Sequence, residues 1–536
     1  MNKKKSQKYI NLNKRFYFIA ILFILILIHY FYLNQKTSKI NIFYTSDGKG
    51  VFYDIDSYNK VRGVMPVADY LSTLKYQDFL LFDVGNTIYK NPYTLNDNAQ
   101  YFVGFMSKMK YDGLCVGESE LSWGEKKLMN LASKAEFPLL SCNIELEKDE
   151  NIKGNVFTPY IIKTIKNTKI GIIGVTDKDI FKNNLEKNIK SFTIKPLFKT
   201  LKRYVKLLKE EERVDLIILL SRYNMTHKDE YLSNTFYQVN NSLIADEIQG
   251  IDIILAKSIP DEYASKVPDA YISSKNKTII CNSFEGEFKS IGNLEIIIRD
   301  KTKTMVSFSN QQIKPTIPAI YLKDKNFQFY DEVQKFKKTI NRKYNIILGR
   351  TNFLLQKQNI AMLTVDIMKS ATNADFAIIK NKDIRSTISK GKIKYRKVIE
   401  IFPESQRVVL IKLTGKEILD ILELSISDRS SENIVISDLE YKVDEKSSYA
   451  RITELLSSGR NNFKLDEKYK VAILERMLNS YIDQDIFRKA EKISVSRDTI
   501  QELFLNYIST HVPLEPKYSY EGLKKERKNF QTLYEI

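Results

Sequence analysis

Histidine is scarce: the 536 residues hold three, His29, His227 and His511. Imidazole is the commonest ligand for catalytic transition metals and the usual base near neutral pH. Three scattered rings leave little material for a histidine-built centre or a Ser–His–Asp triad. His29 sits in an apolar run beside Tyr30 and Tyr32, and His227 in a polar MTHKDE stretch where an exposed surface role fits better than ligation. Cysteine is equally rare. Cys115, Cys142 and Cys281 each lie in or beside an apolar, strand-like run, and none has CxxC spacing. That excludes a zinc knuckle or a redox pair and points to buried free thiols, with a single disulfide left open. The chain has no Gly-x-Ser-x-Gly elbow and no P-loop. It has no Arg/aromatic motif of the RNA-binding kind and no repeat at a solenoid period.

Positive charge, by contrast, is abundant. There are 84 Lys and Arg against 65 Asp and Glu, a net charge of +19. The excess is diffuse, mostly Lys mixed with acids, so nucleic acid is not the expected partner. An anionic membrane face, a phosphorylated metabolite or an anionic wall polymer stays open, and so does a protein partner. An AT-rich coding sequence produces the same abundance of Lys, Ile, Asn and Tyr. A hydrophobic fraction of 43% over this length predicts two to four globular domains. Residues 1–15 carry six basic residues and no acid, and 16–33, FYFIAILFILILIHYFYL, carry no charge. The run is long enough to span a bilayer, and it ends in Asn34–Lys39 without an Ala-x-Ala site or a lipid-acceptor cysteine. It reads as an uncleaved signal anchor: 1–15 cytoplasmic, 16–33 transmembrane, and the bulk of the chain extracytoplasmic.

From Ile40 short apolar runs alternate with amphipathic stretches, the pattern of a layered α/β domain over 40–310. Strand candidates include Ile40–Thr45, Asp78–Val84, Gly113–Val116, Lys169–Val175, Val214–Leu220 and Ile251–Leu255. Pro315 and Pro318 mark a break, and 311–345 reads as a linker with a bridging helix at Asp331–Tyr344. A second α/β unit follows over 346–536. It has helices expected at Ile360–Ala371, Gly415–Leu424 and Asp498–Thr510, and strands at Phe376–Ile379, Val408–Leu413 and Tyr469–Leu474. Within the first unit, Leu114–Gly124, LCVGESELSWG, reads as strand, tight turn, helix. A turn at the carboxyl end of a parallel strand is where open α/β sheets place their chemistry. Here it offers Glu118, Ser119 and Glu120.

These blocks, taken in order, resemble the 5'-nucleotidase family. Its members join a calcineurin-like metallophosphatase domain to a 5'-nucleotidase C-terminal domain. Asn41–Gly50 (NIFYTSDGKG) resembles the opening strand with its Asp-x-His turn. Leu81–Asn86 (LFDVGN) resembles the Gly-Asp turn, and Tyr111–Gly124 with Phe137–Ile144 the Gly-Asn-His-Glu block. Ile170–Thr176, Asp215–Ser221 and Ile251–Ala256 are similar to later family strands; Ile384–Arg385, Phe402–Pro403 and Val409–Gly415 are similar to blocks of the C-terminal domain. The resemblance implies a four-layer metallophosphatase-like β-sandwich flanked by helices, then a second α/β domain. It also implies hydrolysis of the 5'-nucleotidase or UDP-sugar hydrolase type on two metal ions about 3.5–4 Å apart.

The positions that the resemblance assigns to metal ligands are Asp47, Lys49, Asn86, Glu118, Arg222 and Ser258, and only Asp47 is of the expected type. The family's catalytic histidine falls on Ser119. A neutral Asn86 cannot supply the charge that bridges two dications. The sequence therefore leads to a membrane-anchored, extracytoplasmic family member that has lost its two-metal centre, needs no cofactor, and acts as a ligand-binding or scaffold module. The alternative is an active or residual nucleotide phosphohydrolase using Mn, Mg or Zn; a further one is a purely structural surface protein. Lys49, Arg222 and Lys257 stand where ligands stood, so either their cationic heads fill the former metal volume, facing Asp47 and Glu118, or the replacements are neutral drift and these side chains turn to solvent. The C-terminal motifs are eroded too. Lys380–Arg385 retains Arg385 alone, and Tyr481 and Phe487 are the candidates for sandwiching a base. With Lys49, Arg222, Lys257 and Arg385 they form the expected anion or nucleotide site. Glu118 and Glu120, two apart in one turn, are also a candidate acid/base pair.

Overall fold

The computed structural model describes residues 21–23, 25, 36–55, 58–74, 77–95, 97–146, 157–178, 184–224, 239–259, 267–284, 286–339, 342–427, 434–443, 452–457, 463–479 and 484–515. Most of the expected anchor, 16–33, lies outside them, as do His29, His227 and Tyr481. Among the described residues no helix is long and apolar enough to cross a membrane.

Among the described residues, twelve strands build the two large sheets of the N-terminal half. They are β1 (Thr37–Thr45), β2 (Phe79–Asp83), β3 (Gly113–Cys115), β4 (Leu139–Leu140), β5 (Tyr160–Ile165), β6 (Thr168–Val175), β7 (Leu216–Ser221), β8 (Ile253–Ile259), β9 (Ala270–Ile272), β10 (Ile279–Phe284), β11 (Ile291–Arg299) and β12 (Met305–Ile313). They form two six-stranded sheets, ordered β12-β11-β1-β2-β3-β4 and β9-β10-β8-β7-β6-β5. In the first, β1 to β4 run parallel and β11 and β12 add antiparallel pairs. In the second, β6, β7, β8 and β10 run parallel. The buried run LIILLS of β7, with no polar alternation, is what a parallel strand covered on both faces requires.

The sheets pack face to face. Ile40, Ile42, Tyr44 and Phe82 meet Ile170, Ile172, Ile218 and Leu255 between them. Outside the first sheet lie the helices α1 (Val64–Thr73), α2 (Gln100–Lys108), α3 (Glu118–Ser122) and α4 (Glu125–Lys134). Outside the second lie α5 (Leu197–Lys206) and α6 (Asn241–Glu247). Alternate residues of one strand serve different layers: Ile218 faces the other sheet, while Ile217 and Leu219 face helices. This is the four-layer sandwich implied by the sequence.

A helix lies in the expected linker. Helix α7 (Tyr330–Thr339) packs onto the first domain, with Val333 buried and the Phe336 ring stacked on Phe52 at 4.1 Å. The C-terminal half is a five-stranded mixed sheet, ordered Ile434–Ile436, Phe376–Lys380, Lys468–Leu474, Arg407–Thr414 and Glu491–Thr499. Helices α8 (Lys357–Thr372) and α9 (Ile500–Thr510) cover it. Asn373, left-handed at φ 50°, ends α8. Thr499 and Glu502 form a capping box that starts α9.

Candidate functional site

The carboxyl ends of β1, β2, β3, β7 and β8 converge, and the turns that leave them carry the expected site residues. Three backbone bonds zip the first two turns together: Asp47 N to Gly85 O at 2.8 Å, Lys49 N to Asn86 O at 3.1 Å and Gly50 N to Thr87 O at 2.8 Å. Asp47 and Asn86 both sit in the left-handed region, at φ 53° and 58°. Their short polar side chains tolerate that conformation. Glycine is required beside them. At Gly85 (φ 97°) a Cβ would lie 2.3 Å from Cys115 O, and at Gly117 it would lie 2.4 Å from Asn86 Oδ1.

Arg222, leaving β7 of the second sheet, reaches Asp47 of the first. Nη2 donates to Asp47 Oδ1 at 3.0 Å and Nη1 to Oδ2 at 3.1 Å, a bidentate pair with side chains only 4% and 15% exposed. Nη1 also has Ser46 Oγ, Val84 O and Gly85 O within 3.3 Å. Ser258 donates to Asp47 Oδ2 through its N–H at 3.0 Å and its Oγ at 2.7 Å, and Ser46 Oγ donates at 2.6 Å. Burial alone would raise the Asp47 carboxyl. The guanidinium and these donors override it and hold the group well below the carboxylate range.

The turn after β3 is organised by Glu120, which is fully buried. Its Oε1 accepts from the N–H groups of Thr87 and Ile88 and its Oε2 from those of Asn86 and Gly117, at 2.8–3.0 Å. Every lone-pair direction is used, so Glu120 is a fixed structural acceptor and not half of an acid/base pair with Glu118. Asn86 Oδ1 accepts from Ser119 N at 3.0 Å. Buried beneath the turn, Asp83 accepts from Thr45 Oγ1 at 2.6 Å, Gly85 N at 2.7 Å and Thr87 Oγ1 at 2.9 Å. Burial pushes its carboxyl up to about 7.

The other expected residues divide. Lys257 is half-buried with Asp177, Asp47 and Glu118 as its nearby acids, and burial followed by the like charge of Arg222 pushes its ammonium down. Lys49 stands apart from this volume; its ammonium pairs with Glu287 at 3.1 Å on an exposed rim. Arg385 reaches across from the C-terminal half to Glu118, with Nη2 3.8 Å from Oε1. Phe487 is 1% exposed within the C-terminal core, so its ring cannot sandwich a base. His511 stacks on Tyr507 of α9. All three cysteines are buried free thiols.

Sequence reasoning passed over three features. The buried pair Asp383–Arg476 beside Arg385 is one. Ser46 and Asp83 are the others. The signal was available, since Arg476 stands two residues past the apolar strand VAIL and Asp83 interrupts LLF-VG. A charged group at such a place is buried and needs a partner.

This donor set does not fit two dications. Both Asp47 oxygens are engaged by the guanidinium, Asn86 brings no charge, and Glu118 faces Arg385. Among the described residues no group of three or more His, Cys, Asp or Glu could hold a metal ion.

Comparison with known proteins names the framework. Residues 342–482 match the 5'-nucleotidase C-terminal domain. The chain is 24% identical over 396 residues to the trifunctional nucleotide phosphoesterase YfkN of Bacillus subtilis, aligning 65% of itself with a quarter (25%) of that protein. To the 5'-nucleotidase of Vibrio cholerae it is 23% identical over 429 residues, aligning 73% of itself with 76% of the relative. The fold is that of the 5'-nucleotidase precursor of Thermus thermophilus, with a TM-score of 0.73 at 18% identity, covering 89% of this chain and 98% of that one. In its C-terminal domain, in these relatives and in its two-domain fold, the chain is thus similar to the 5'-nucleotidases.

Proposed function

We propose that this chain takes a nucleotide or a related phosphorylated metabolite between its two domains. The observation that carries the reading is Arg385. It lies within the matched C-terminal domain and faces the first domain, and its contact to Glu118, at 3.8 Å, is beyond hydrogen-bond range. A phosphate entering there exchanges a long ion pair for a bidentate one. The ligand class comes from the relatives, whose names specify nucleotides. In our reading the bound ligand is held without turnover, because the positions that would carry metals are engaged by Arg222, Ser119 and Arg385. The same proposal sets the domains at an extracytoplasmic membrane face, tethered by 16–33.

Metal-dependent hydrolysis of the nucleotide phosphoester is the second reading, and the names of the relatives favour it over the first. One experiment on the purified full-length chain separates the two. It measures binding of a nucleoside monophosphate by calorimetry and phosphate release with and without Mn²⁺. Holding without turnover gives saturable binding, weakened roughly 10–100-fold by Arg385→Ala, and no release. Release that needs Mn²⁺ and is abolished by Asp47→Ala establishes the hydrolytic reading instead. Absence of both binding and release rules out both.

A further inference from the structure

We infer that Arg222 is a permanent internal tie between the two sheets, so that this volume takes up no divalent cation and the fold depends on none. The inference stands whether or not a nucleotide binds in the cleft, but it is incompatible with two-metal hydrolysis. It rests on which elements the guanidinium joins. Arg222 follows β7 in the second sheet. Its two terminal nitrogens reach Ser46 and Asp47 after β1, and the carbonyls of Val84 and Gly85 after β2, all in the first sheet. From β8, Ser258 closes the ring on Asp47. One side chain therefore cross-links the strand ends that metals would otherwise draw together.

Valence and charge both oppose exchange for a metal. Asp47 Oδ1 accepts from Nη2, and Oδ2 accepts from Nη1, Ser46 Oγ and the N–H and Oγ of Ser258. Oδ2 has no lone pair left for a cation, and Oδ1 keeps one only beside the guanidinium already bound to it. Two fixed positive charges, Arg222 and Lys257, already occupy the neighbourhood. A dication would stand beside a guanidinium that is 4% exposed and has no route to solvent except by breaking its pair. The guanidinium also stays charged at any accessible pH, so the tie, unlike a metal site, does not loosen on mild acidification.

The test is thermal melting of the full-length chain, read at the transition of the N-terminal domain, with metal content measured in parallel. The tie predicts a melting temperature unmoved by EDTA or added Mn²⁺, and no stoichiometric metal in the purified protein. Arg222→Met leaves a buried carboxylate and lowers the melting temperature by roughly 10 °C; the double variant Asp47→Asn with Arg222→Met recovers part of that loss. Should Arg222→Met not fold, Arg222→Lys keeps the charge without the fork and melts between the two. Stoichiometric Mn²⁺ or Zn²⁺ whose removal lowers the wild-type melting temperature overturns the inference. So does an Arg222→Met chain that melts with the wild type.

Discussion

The strongest single test of the turn geometry is Glu120. Its carboxylate is fully buried and receives four backbone N–H groups, those of Asn86, Thr87, Ile88 and Gly117. Glu120→Gln keeps the shape but sets an NH₂ against two of those donors. Oε2 serves Asn86 and Gly117 and Oε1 serves Thr87 and Ile88, so either amide orientation orphans one pair. A hydrogen bond to a charged group contributes about 1.5–3 kcal/mol. Two lost bonds thus cost about 3–6 kcal/mol, a large part of the 5–15 kcal/mol that holds a typical domain. Global unfolding of a two-domain chain is not a single transition, so the local readout is the sharper one. Hydrogen exchange at the affected amides accelerates by roughly 10²–10⁴-fold, at 1.4 kcal/mol per decade. The result that refutes the reasoning is an E120Q chain with wild-type protection at Asn86, Thr87, Ile88 and Gly117.

Two further substitutions follow from the buried charges. Asp83 has its carboxyl pushed up to about 7 by burial. The native state therefore keeps a proton that the unfolded chain releases above about pH 4, and stability present below pH 4 is lost as pH rises through 7, by about 4 kcal/mol in all. Asp83→Asn removes that slope, so urea unfolding of D83N between pH 5 and 8 comes out flatter than that of the wild type and its midpoint is higher at pH 8. In the C-terminal domain, Arg476→Leu strands the buried Asp383 carboxylate. It costs about 3–5 kcal/mol, and adding Asp383→Asn restores most of it in the same assay.

How far the sequence led depends on the kind of signal. The parallel strands were legible because burial on both faces demands continuous apolar runs, and LIILLS or IGIIGV admit little else. Helix α8 was legible from the spacing of Ile360, Leu363 and Ile367, all at least 93% buried. Which cation would meet which carboxylate was not legible. Lys49 and Arg222 stand at equivalent places after strand ends, yet only Arg222 turns inward. Arg222 leaves a strand flanked by parallel neighbours on both sides, which buries its stem. Lys49 lies in a left-handed turn at φ 48° beside the exposed Glu287. Phe487 was misread because an aromatic near an eroded motif looks the same whether it faces a cleft or fills a core.

The pairing also changes what the basic composition means. A net charge of +19 suggests a cleft that draws in anions, and Lys49, Arg222, Lys257 and Arg385 were expected to supply that potential. The structure pairs three of them with acids, Lys49 with Glu287, Arg222 with Asp47 and Arg385 with Glu118, and Lys257 has Asp177, Asp47 and Glu118 nearby. Seen from a distance these pairs are nearly neutral, so long-range steering of a phosphate into the cleft is weak. For the proposed nucleotide, recognition there is then by displacement. An incoming phosphate takes a cation only if it binds more strongly than the resident carboxylate, and the resident contacts are unequal. Arg222 is held bidentately and buried, whereas Arg385 is held at 3.8 Å with a third of its side chain exposed. On the proposed reading, ligand binding and the internal tie therefore fall on different arginines. Losing Arg385 should weaken a nucleotide and leave the fold intact, and losing Arg222 should do the reverse.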